Sequence, residues 1–229
     1  MTVNGGGGFN TATLNDQNDQ ATFISPSTWA VDASSVARSY PTLVGEFLRT
    51  VTRTVEYTGL SSLVLDGGGG PNTFNVHAIA AGVSVTVNAG PGDDTINVGD
   101  TANSLDDIRG PVTVNGGDGT DVLNVNDQGD TDSHSYGVNA TQVVRSAEDP
   151  AAIVPITINY GTLESLVINL SNSLNTFNVN GDAAGTPVTL NGGTAFDNLI
   201  VASAASVTTT WQITSLEPVI DLSSAAHSL

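Results

Sequence analysis

The chain contains no cysteine and no lysine, and its five basic residues are all arginines. Without cysteine it can have neither a disulfide framework nor a thiolate metal site. Its 23 acidic residues give a formal net charge of −18, which argues against nucleic acid and anionic membrane surfaces as partners. No apolar run reaches the ~18 residues needed to span a bilayer, so we expect no membrane insertion. The excess of negative charge still permits the binding of divalent cations.

What the sequence does contain is a fourteen-residue motif in six copies. Each copy has a short apolar–polar alternation, a turn that is usually glycine-rich, and a second alternation, as in VTVNAGPGDDTINV. The copies occupy residues 1–14, 63–76, 85–98, 112–125, 166–179 and 188–201, so their starts are 62, 22, 27, 54 and 22 residues apart. Self-similarity at periods of about 20–50 residues is typical of solenoids, propellers and arrays.

These intervals predict an all-β fold, namely a right-handed parallel β-helix or β-solenoid with coils of 22–27 residues. The interval of 54 residues is interpreted as two coils of 27. Tandem β-sandwiches are the alternative, because short, evenly spaced strands with turn signals suit that class too. Matches at longer offsets predict a first super-repeat at 1–112, a second at 113–206 and the start of a third, truncated one at 207–229. Neighbouring repeats of a longer chain are therefore the expected partners.

The alternation assigns side chains to faces. Residues two apart lie on one face of a strand, so the apolar positions beside each turn, including Phe74 and Phe177, should fill the interior. The fourth motif position is always Asn or Asp, and we expect these side chains to form ladders between coils. A column of threonines at the second position is predicted to face outward, and consists of Thr2, Thr86, Thr113 and Thr189.

Residues 38–54 interrupt the repeat. Leu43, Val44, Phe47 and Leu48 have helix-like spacing, so residues 40–52 are predicted to leave the stack and to form one or two helical turns. Either this is a loop whose apolar residues pack back on the coil, or it is a contact surface.

Two turns carry a recognisable motif. Residues 116–123 read GGDGTDVL and residues 89–96 read AGPGDDTI. They resemble the calcium-binding nonapeptide of the repeats-in-toxin family, G-G-x-G-x-D-x-U, which forms a parallel β-roll in secreted bacterial proteins. The whole chain resembles the β-strand-repeat stretches of very large bacterial exoproteins. In the nonapeptide family the sixth-position Asp and turn carbonyls bind calcium, and that position here holds Asn10, Asn72, Asp94, Asp121, Asn175 and Asp197.

The resemblance implies Ca²⁺ as a cofactor and a secreted or cell-surface location in a bacterium. The turns of the third and fourth copies bring the most carboxylates together, so the expected metal ligands are Asp93, Asp94, Asp118 and Asp121 with nearby turn carbonyls. A second acidic cluster is formed by Asp127, Asp130 and Asp132.

Three functions fit these features. The first is a structural or adhesive repeat segment without enzymatic activity, with a surface glycan or protein as a further partner. The second is an enzyme acting on polysaccharide, since parallel β-helices host such enzymes; its candidate residues are Asp106, Asp107 and Arg109. The third is a binding face for ice or glycan on the Thr/Asn columns. His77, His134 and His227 share no repeat position and predict neither a triad nor a zinc site.

Overall fold

The structure is a computed structural model and describes residues 1–17, 26–44, 46–147, 155–181, 186–195, 197–201, 211–213 and 219–221. Within these residues the chain forms twenty strands and no helix, which confirms the all-β prediction. The strands are β1 (Thr2–Asn4), β2 (Thr11–Asn15), β3 (Ser27–Asp32), β4 (Ser35–Val44), β5 (Phe47–Thr58), β6 (Ser62–Asp66), β7 (Asn72–Val76), β8 (Ser84–Asn88), β9 (Thr95–Val98), β10 (Val112–Asn115), β11 (Val122–Asn126), β12 (His134–Asn139), β13 (Gln142–Ala147), β14 (Ile156–Gly161), β15 (Ser165–Asn169), β16 (Thr176–Val179), β17 (Val188–Asn191), β18 (Asn198–Val201), β19 (Trp211–Ile213) and β20 (Val219–Asp221). In this part of the chain there is accordingly no helix that could cross a membrane.

The described strands form two ten-stranded, largely parallel sheets. Sheet I has the order β1-β5-β4-β3-β7-β9-β11-β15-β17-β19, and sheet II has the order β2-β6-β8-β10-β14-β13-β12-β16-β18-β20. The chain passes repeatedly from one sheet to the other, so each motif places its first strand in one sheet and its second strand in the other. The motif turns therefore lie where the chain crosses between the sheets.

Strand pairing follows the register of the motif. Leu63 of β6 pairs with Val85 of β8, which pairs in turn with Val112 of β10. The intervals of 22 and 27 residues are thus single steps between neighbouring parallel strands. Because alternate residues share a face, the apolar columns come together between the sheets, and Phe74 and Phe177 are buried as predicted.

Ladders of amide side chains run along the sheets, as predicted for the fourth motif position. Asn88 Nδ2 donates to Asp66 Oδ1 at 2.8 Å, and Asn115 Nδ2 donates to Asn88 Oδ1 at 2.8 Å. The same bond recurs at 2.9 Å along Asn75, Asn97 and Asn124. These bonds link one motif copy to the next in addition to the backbone pairing.

Two antiparallel three-stranded meanders interrupt the parallel pairing, β3–β5 in sheet I and β12–β14 in sheet II. The interpretation of the 54-residue interval as two coils of 27 is therefore wrong, because that interval contains the second meander. The meanders begin alike: Trp29 of β3 pairs with Phe74, and Tyr136 of β12 pairs with Phe177.

Each meander changes the sheet in which the following motifs begin. A motif contributes one strand to each sheet, whereas a meander contributes all three of its strands to one sheet. The motif after a meander therefore begins in the opposite sheet from the motif before it. Thr86 and Thr113 are therefore neighbours in sheet II, while Thr2 and Thr189 lie in sheet I. The prediction of a single threonine column is wrong for this reason.

Residues 40–44 and 47–52 form the paired arms of a β4–β5 hairpin, in which Tyr40 pairs with Val51. The predicted helical turns are wrong: the β-branched run TVT at 50–52 favours a strand, and Pro41 would break a helix interior. Near the hairpin tip Leu43 is 71% exposed and Phe47 is 70% exposed. The described side chains there, Leu43, Phe47 and Leu48, do not pack back on the core, and a role as a contact surface remains a prediction.

Candidate functional site

The tenth position of the fourteen-residue motif, which is the sixth position of the nonapeptide, forms a column of hydrogen bonds through adjacent turns. Asp94 Oδ1 accepts a bond from the backbone N–H of Asn72 at 2.6 Å, and Asp121 Oδ1 accepts one from the N–H of Asp94 at 2.9 Å. Asp197 Oδ1 accepts one from the N–H of Asn175 at 3.0 Å. Each of these aspartates therefore holds the turn before it through one carboxylate oxygen.

The second side-chain atom differs between Asn and Asp. Asn72 Nδ2 donates to the carbonyls of Gly68 (3.2 Å) and Gly70 (2.7 Å), and Asn175 Nδ2 donates at 2.9 and 2.8 Å to the carbonyls four and two residues earlier. By contrast, Oδ2 is buried without a hydrogen-bond partner among the described residues in Asp94, Asp121 and Asp197. An ionised carboxylate cannot donate, so taking up a proton or facing a cation would stabilise this buried oxygen.

Burial and like charges act on these carboxylates. Burial raises the pKa of Asp94 to about 6, and the negative charge of Asp121 adds to the rise. Burial also raises the pKa of Asp121, where Glu164, Asp93 and Asp118 add negative charge. The charged groups that act on the two carboxylates are all acidic, so a cation here would be attracted by several charges at once.

The four predicted calcium ligands divide into an inner and an outer pair. Asp94 and Asp121 are buried, whereas Asp93 and Asp118 are exposed. Asp93 Oδ1 accepts a bond from the N–H of Thr120 at 2.9 Å and so links the third turn to the fourth. The structure thus places all four acids on two adjacent turns.

Glycine is required where the fourth turn lies on the third. Gly117 and Gly119 have positive φ angles of 121° and 138°, which side chains with a Cβ rarely adopt. A Cβ on either would also collide with a carbonyl oxygen of the turn below, that of Gly90 or Gly92. Main-chain oxygens therefore lie between these two turns, where a hard cation could use them.

Asp94→Asn is expected to stabilise the chain at pH 7.5 in the presence of a chelator, because an amide can donate as Asn72 does. The folded pKa of Asp94, about 6, is above the usual value of about 3.9. The contribution of protonated Asp94 to stability is therefore full below pH ~4 and is lost as the pH rises through about 6, and its size is on the order of 3 kcal/mol. Thermal melting between pH 4 and 8 should show a flatter profile for the variant.

Asp93→Asn is the matched control for this prediction, since Asp93 is exposed and an amide oxygen can still accept the bond from Thr120. It should retain most of the pH dependence of the unmodified chain, losing only the smaller part that the charge of Asp93 adds to the raised pKa of Asp94. Identical pH profiles for Asp94→Asn and the unmodified chain would contradict the raised pKa of Asp94.

A second group of ionisable side chains is buried beside the second meander. Asp127, Asp130 and His134 each offer a ligand atom, and these atoms lie within 4.8 Å of one another. The geometry could hold a metal ion. The sequence placed Asp127 and Asp130 in one acidic cluster, and the structure brings His134 beside them.

Arg145 of β13 lies among these three residues. Its Nη2 is 2.9 Å from Asp130 Oδ2 and 2.7 Å from His134 Nε2, and its Nη1 is 3.2 Å from Asp127 Oδ1. Tyr136 Oη donates to Asp127 Oδ2 at 2.6 Å. A metal ion at this place would have to displace the guanidinium group, which already supplies the positive charge.

The electrostatics of the two aspartates differ. Burial raises the pKa of Asp127, although Arg145 and the bond from Tyr136 oppose the rise. Burial would raise the pKa of Asp130 as well, but hydrogen bonds from the backbone of Asp132 and from His134, with the charge of Arg145, lower it. Asp130 is thus held as a carboxylate against Arg145.

The first meander contains a related pair. Arg38 is the cross-strand partner of Trp29, as Arg145 is of Tyr136. Arg38 forms an ion pair with the buried Asp16, and its Nη2 donates to Ser27 Oγ at 3.0 Å. An arginine paired with a buried aspartate is therefore a feature of both meanders, which favours a structural role for Arg145.

The remaining candidates are dispersed. Asp106 Oδ1 lies 2.7 Å from Arg145 Nη2, whereas Asp107 pairs with Arg109 at 3.2 Å on the surface. The two acids of the enzyme hypothesis therefore face different arginines. Asp132 contributes only its backbone N–H to Asp130 Oδ1, at 2.8 Å. His77 lies 3.4 Å from an Asp32 oxygen, and His227 lies outside the described residues.

Sequence reasoning missed Arg145, although a signal for it exists. Arg38 and Arg145 each follow the aromatic residue that opens their meander, Trp29 or Tyr136, by nine residues. Neither arginine belongs to the fourteen-residue motif, so aligning the motif alone did not reveal them.

Comparison of the chain with protein-family models, with curated proteins and with solved structures gives no match. The fold and these two groups of residues are the features of the chain that bear on its function.

Proposed function

We propose that this chain is a structural and adhesive repeat segment of a secreted or cell-surface bacterial protein, stabilised by calcium. The observation that carries the proposal is the stacking of motif strands in register, with amide ladders along the sheets. In such an array each repeat contacts chiefly its neighbours, so that length can be added without a new core. This is the property that a shaft or matrix element needs.

The finer architecture belongs to the same proposal. One passage through both sheets is one coil of a right-handed parallel β-solenoid, with the two meanders inserted as side strands. A solenoid of this kind is stiff along its axis, because every coil is held by backbone bonds and side-chain ladders. Small-angle X-ray scattering should therefore give an elongated particle, and a sphere-like profile would oppose the solenoid.

Calcium is assigned to the turns of the third and fourth copies. Two observations support this assignment. The Oδ2 atoms of Asp94 and Asp121 are buried and have no hydrogen-bond partner in the described part of the chain, and main-chain oxygens lie between the two turns. Calcium prefers six to eight oxygen ligands, several of them charged. Asp93 and Asp118 supply further carboxylates at the outer side of the same turns.

Calcium is expected to raise the melting temperature relative to the chelated chain. A ligand at about 100 times its dissociation constant stabilises by roughly 2.7 kcal/mol. The double variant Asp94→Ala with Asp121→Ala should lose this response, whereas Asp106→Ala with Asp107→Ala should keep it. Identical melting curves with calcium and with chelator would show that the turn aspartates have only a structural role.

Under this proposal the chain is not an enzyme. Incubation with pectin or alginate should release no reducing ends and no unsaturated products. Cleavage that disappears in the Asp106→Ala, Asp107→Ala variant would overturn the structural proposal in favour of the polysaccharide-acting alternative.

A further inference from the structure

A cavity of about 230 Å³ lies between β2 of sheet II and the first meander of sheet I. Leu14, Val36 and Val55 form apolar parts of its wall, and Trp29, Arg38 and Arg53 also line it. Cavities that take drug-sized ligands measure about 300–1,000 Å³. This one is therefore suited to a smaller molecule.

Positive charge is concentrated at this cavity. The whole chain has only five basic residues, and two of them, Arg38 and Arg53, line the cavity. They are direct cross-strand partners on β4 and β5, and like charges in that position destabilise a sheet. Arg38 is paired with Asp16, while Arg53 is exposed. An anion beside Arg53 would relieve the repulsion between the two arginines.

The second meander shows that the fold does not require an arginine at this place. In the first meander, Trp29 of β3 pairs with Arg38 of β4, and Arg38 pairs in turn with Arg53 of β5. Their counterparts in the second are Tyr136, Arg145 and Ile156, and Ile156 is buried. An apolar residue thus completes the core where the first meander has Arg53.

A buried donor points the same way. The indole Nε1 of Trp29 is buried and has no hydrogen-bond partner among the described residues. Buried polar groups are nearly always paired, so an acceptor oxygen is needed. The walls of the cavity thus combine guanidinium donors and the ring of Trp29 with apolar side chains, a combination that matches a carboxylate attached to a compact apolar or sugar body.

We propose that this cavity is a binding site for a small carboxylate. Its carboxylate group is held by Arg53 and Arg38, and its body lies against Leu14, Val36 and Val55. The residues of the cavity are distinct from those of the aspartate turns, so this site does not depend on calcium. A uronic acid at the end of an acidic glycan and a short fatty acid share the required chemistry.

Tryptophan fluorescence can test the proposal, because the chain has only two tryptophans. In the Trp211→Phe variant, Trp29 is the only tryptophan that contributes to the fluorescence. Titration with sodium glucuronate or sodium hexanoate should give a saturable change, whereas glucose should give none. The carboxylate that binds more tightly shows whether the ligand of this site is a sugar acid or an aliphatic acid. Calorimetric titration of the unmodified chain provides a second measurement that does not rely on the Trp211 variant.

Arg53→Ile and Arg49→Ile form a matched pair of variants. Both remove one positive charge from β5, but Arg49 does not line the cavity. Arg53→Ile should weaken carboxylate binding at least tenfold and should not lower the melting temperature, since isoleucine occupies the equivalent position in the second meander. Arg49→Ile should bind like the unmodified chain.

Three results would each overturn the proposal. These are the absence of saturable binding of both carboxylates, equal binding of glucose, and unchanged binding in Arg53→Ile. None of them would affect the calcium response of the turns, so failure here is distinguishable from failure of the proposed function.

Discussion

Replacing Arg145 with methionine is expected to lower the free energy of unfolding by about 3–5 kcal/mol, because removing one partner of a buried ion pair leaves uncompensated charge. Asp127 and Asp130 are both buried, and Arg145 contacts both. Methionine keeps most of the length of the side chain but supplies no charge and no donor. Urea denaturation at pH 7 measures the loss.

Two comparisons show whether charge is the cause. Adding Asp127→Asn and Asp130→Asn to Arg145→Met should restore part of the lost stability, since the stranded carboxylates are then neutral. Arg109→Met removes an exposed pair with Asp107 and should cost no more than about 1 kcal/mol. A similarly small loss for Arg145→Met would show that the buried cluster contributes little to folding.

Phe177→Ala is expected to cost about 3–5 kcal/mol, because truncating a buried phenylalanine loses apolar burial and leaves a cavity. Phe177 lies between the sheets, next to Tyr136 of β12 on one side and Leu199 of β18 on the other. It is 1% exposed, so close neighbours would have to move to fill the space. The measurement is again the free energy of unfolding in urea.

Phe47→Ala is the control for this substitution, since Phe47 lies near the tip of the first hairpin and is largely exposed. Its replacement should change stability by at most about 0.5 kcal/mol. Equal effects of the two substitutions would mean that Phe177 is not part of a packed core.

The pairing of the motif strands could be predicted because the relevant physics is local. Alternation of apolar and polar residues determines which face of a strand is buried, and a slip of one residue would expose the whole apolar set. Leu63, Val85 and Val112 therefore align as the motif intervals predicted. The amide ladders follow from the same register.

The meanders could not be predicted in this way. Residues 35–58 and 134–161 carry no copy of the motif, and their antiparallel pairing depends on contacts between strands that differ in sequence. The apolar residues of the hairpin tip, such as Leu43 and Phe47, mimic a helical spacing. Extended β-branched neighbours and the pairing of β4 with β5 outweigh that signal.

The residues of the candidate sites can be divided in the same way, into those that belong to the motif and those that the meanders bring together. Asp93, Asp94, Asp118 and Asp121 were found from the motif, since the motif contains them. The role of Arg145 depends on β13 returning beside β12, which brings it to Asp127 and His134 from 18 and 11 residues away in sequence. Likewise, only the paired strands of the first meander bring Arg53 opposite Arg38.

By itself, the sequence determined that the chain is all-β, which residues face the core, and how successive motifs align, because a period of two residues and a repeated turn act over short distances. Tertiary structure decided which sheet each motif strand joins. Each meander puts three consecutive strands into one sheet, so the motifs after it begin in the opposite sheet from the motifs before it. It also decided which charges are buried together. Burial depends on strands that meet across the fold, and only there does a carboxylate come to need a proton, an arginine or a cation.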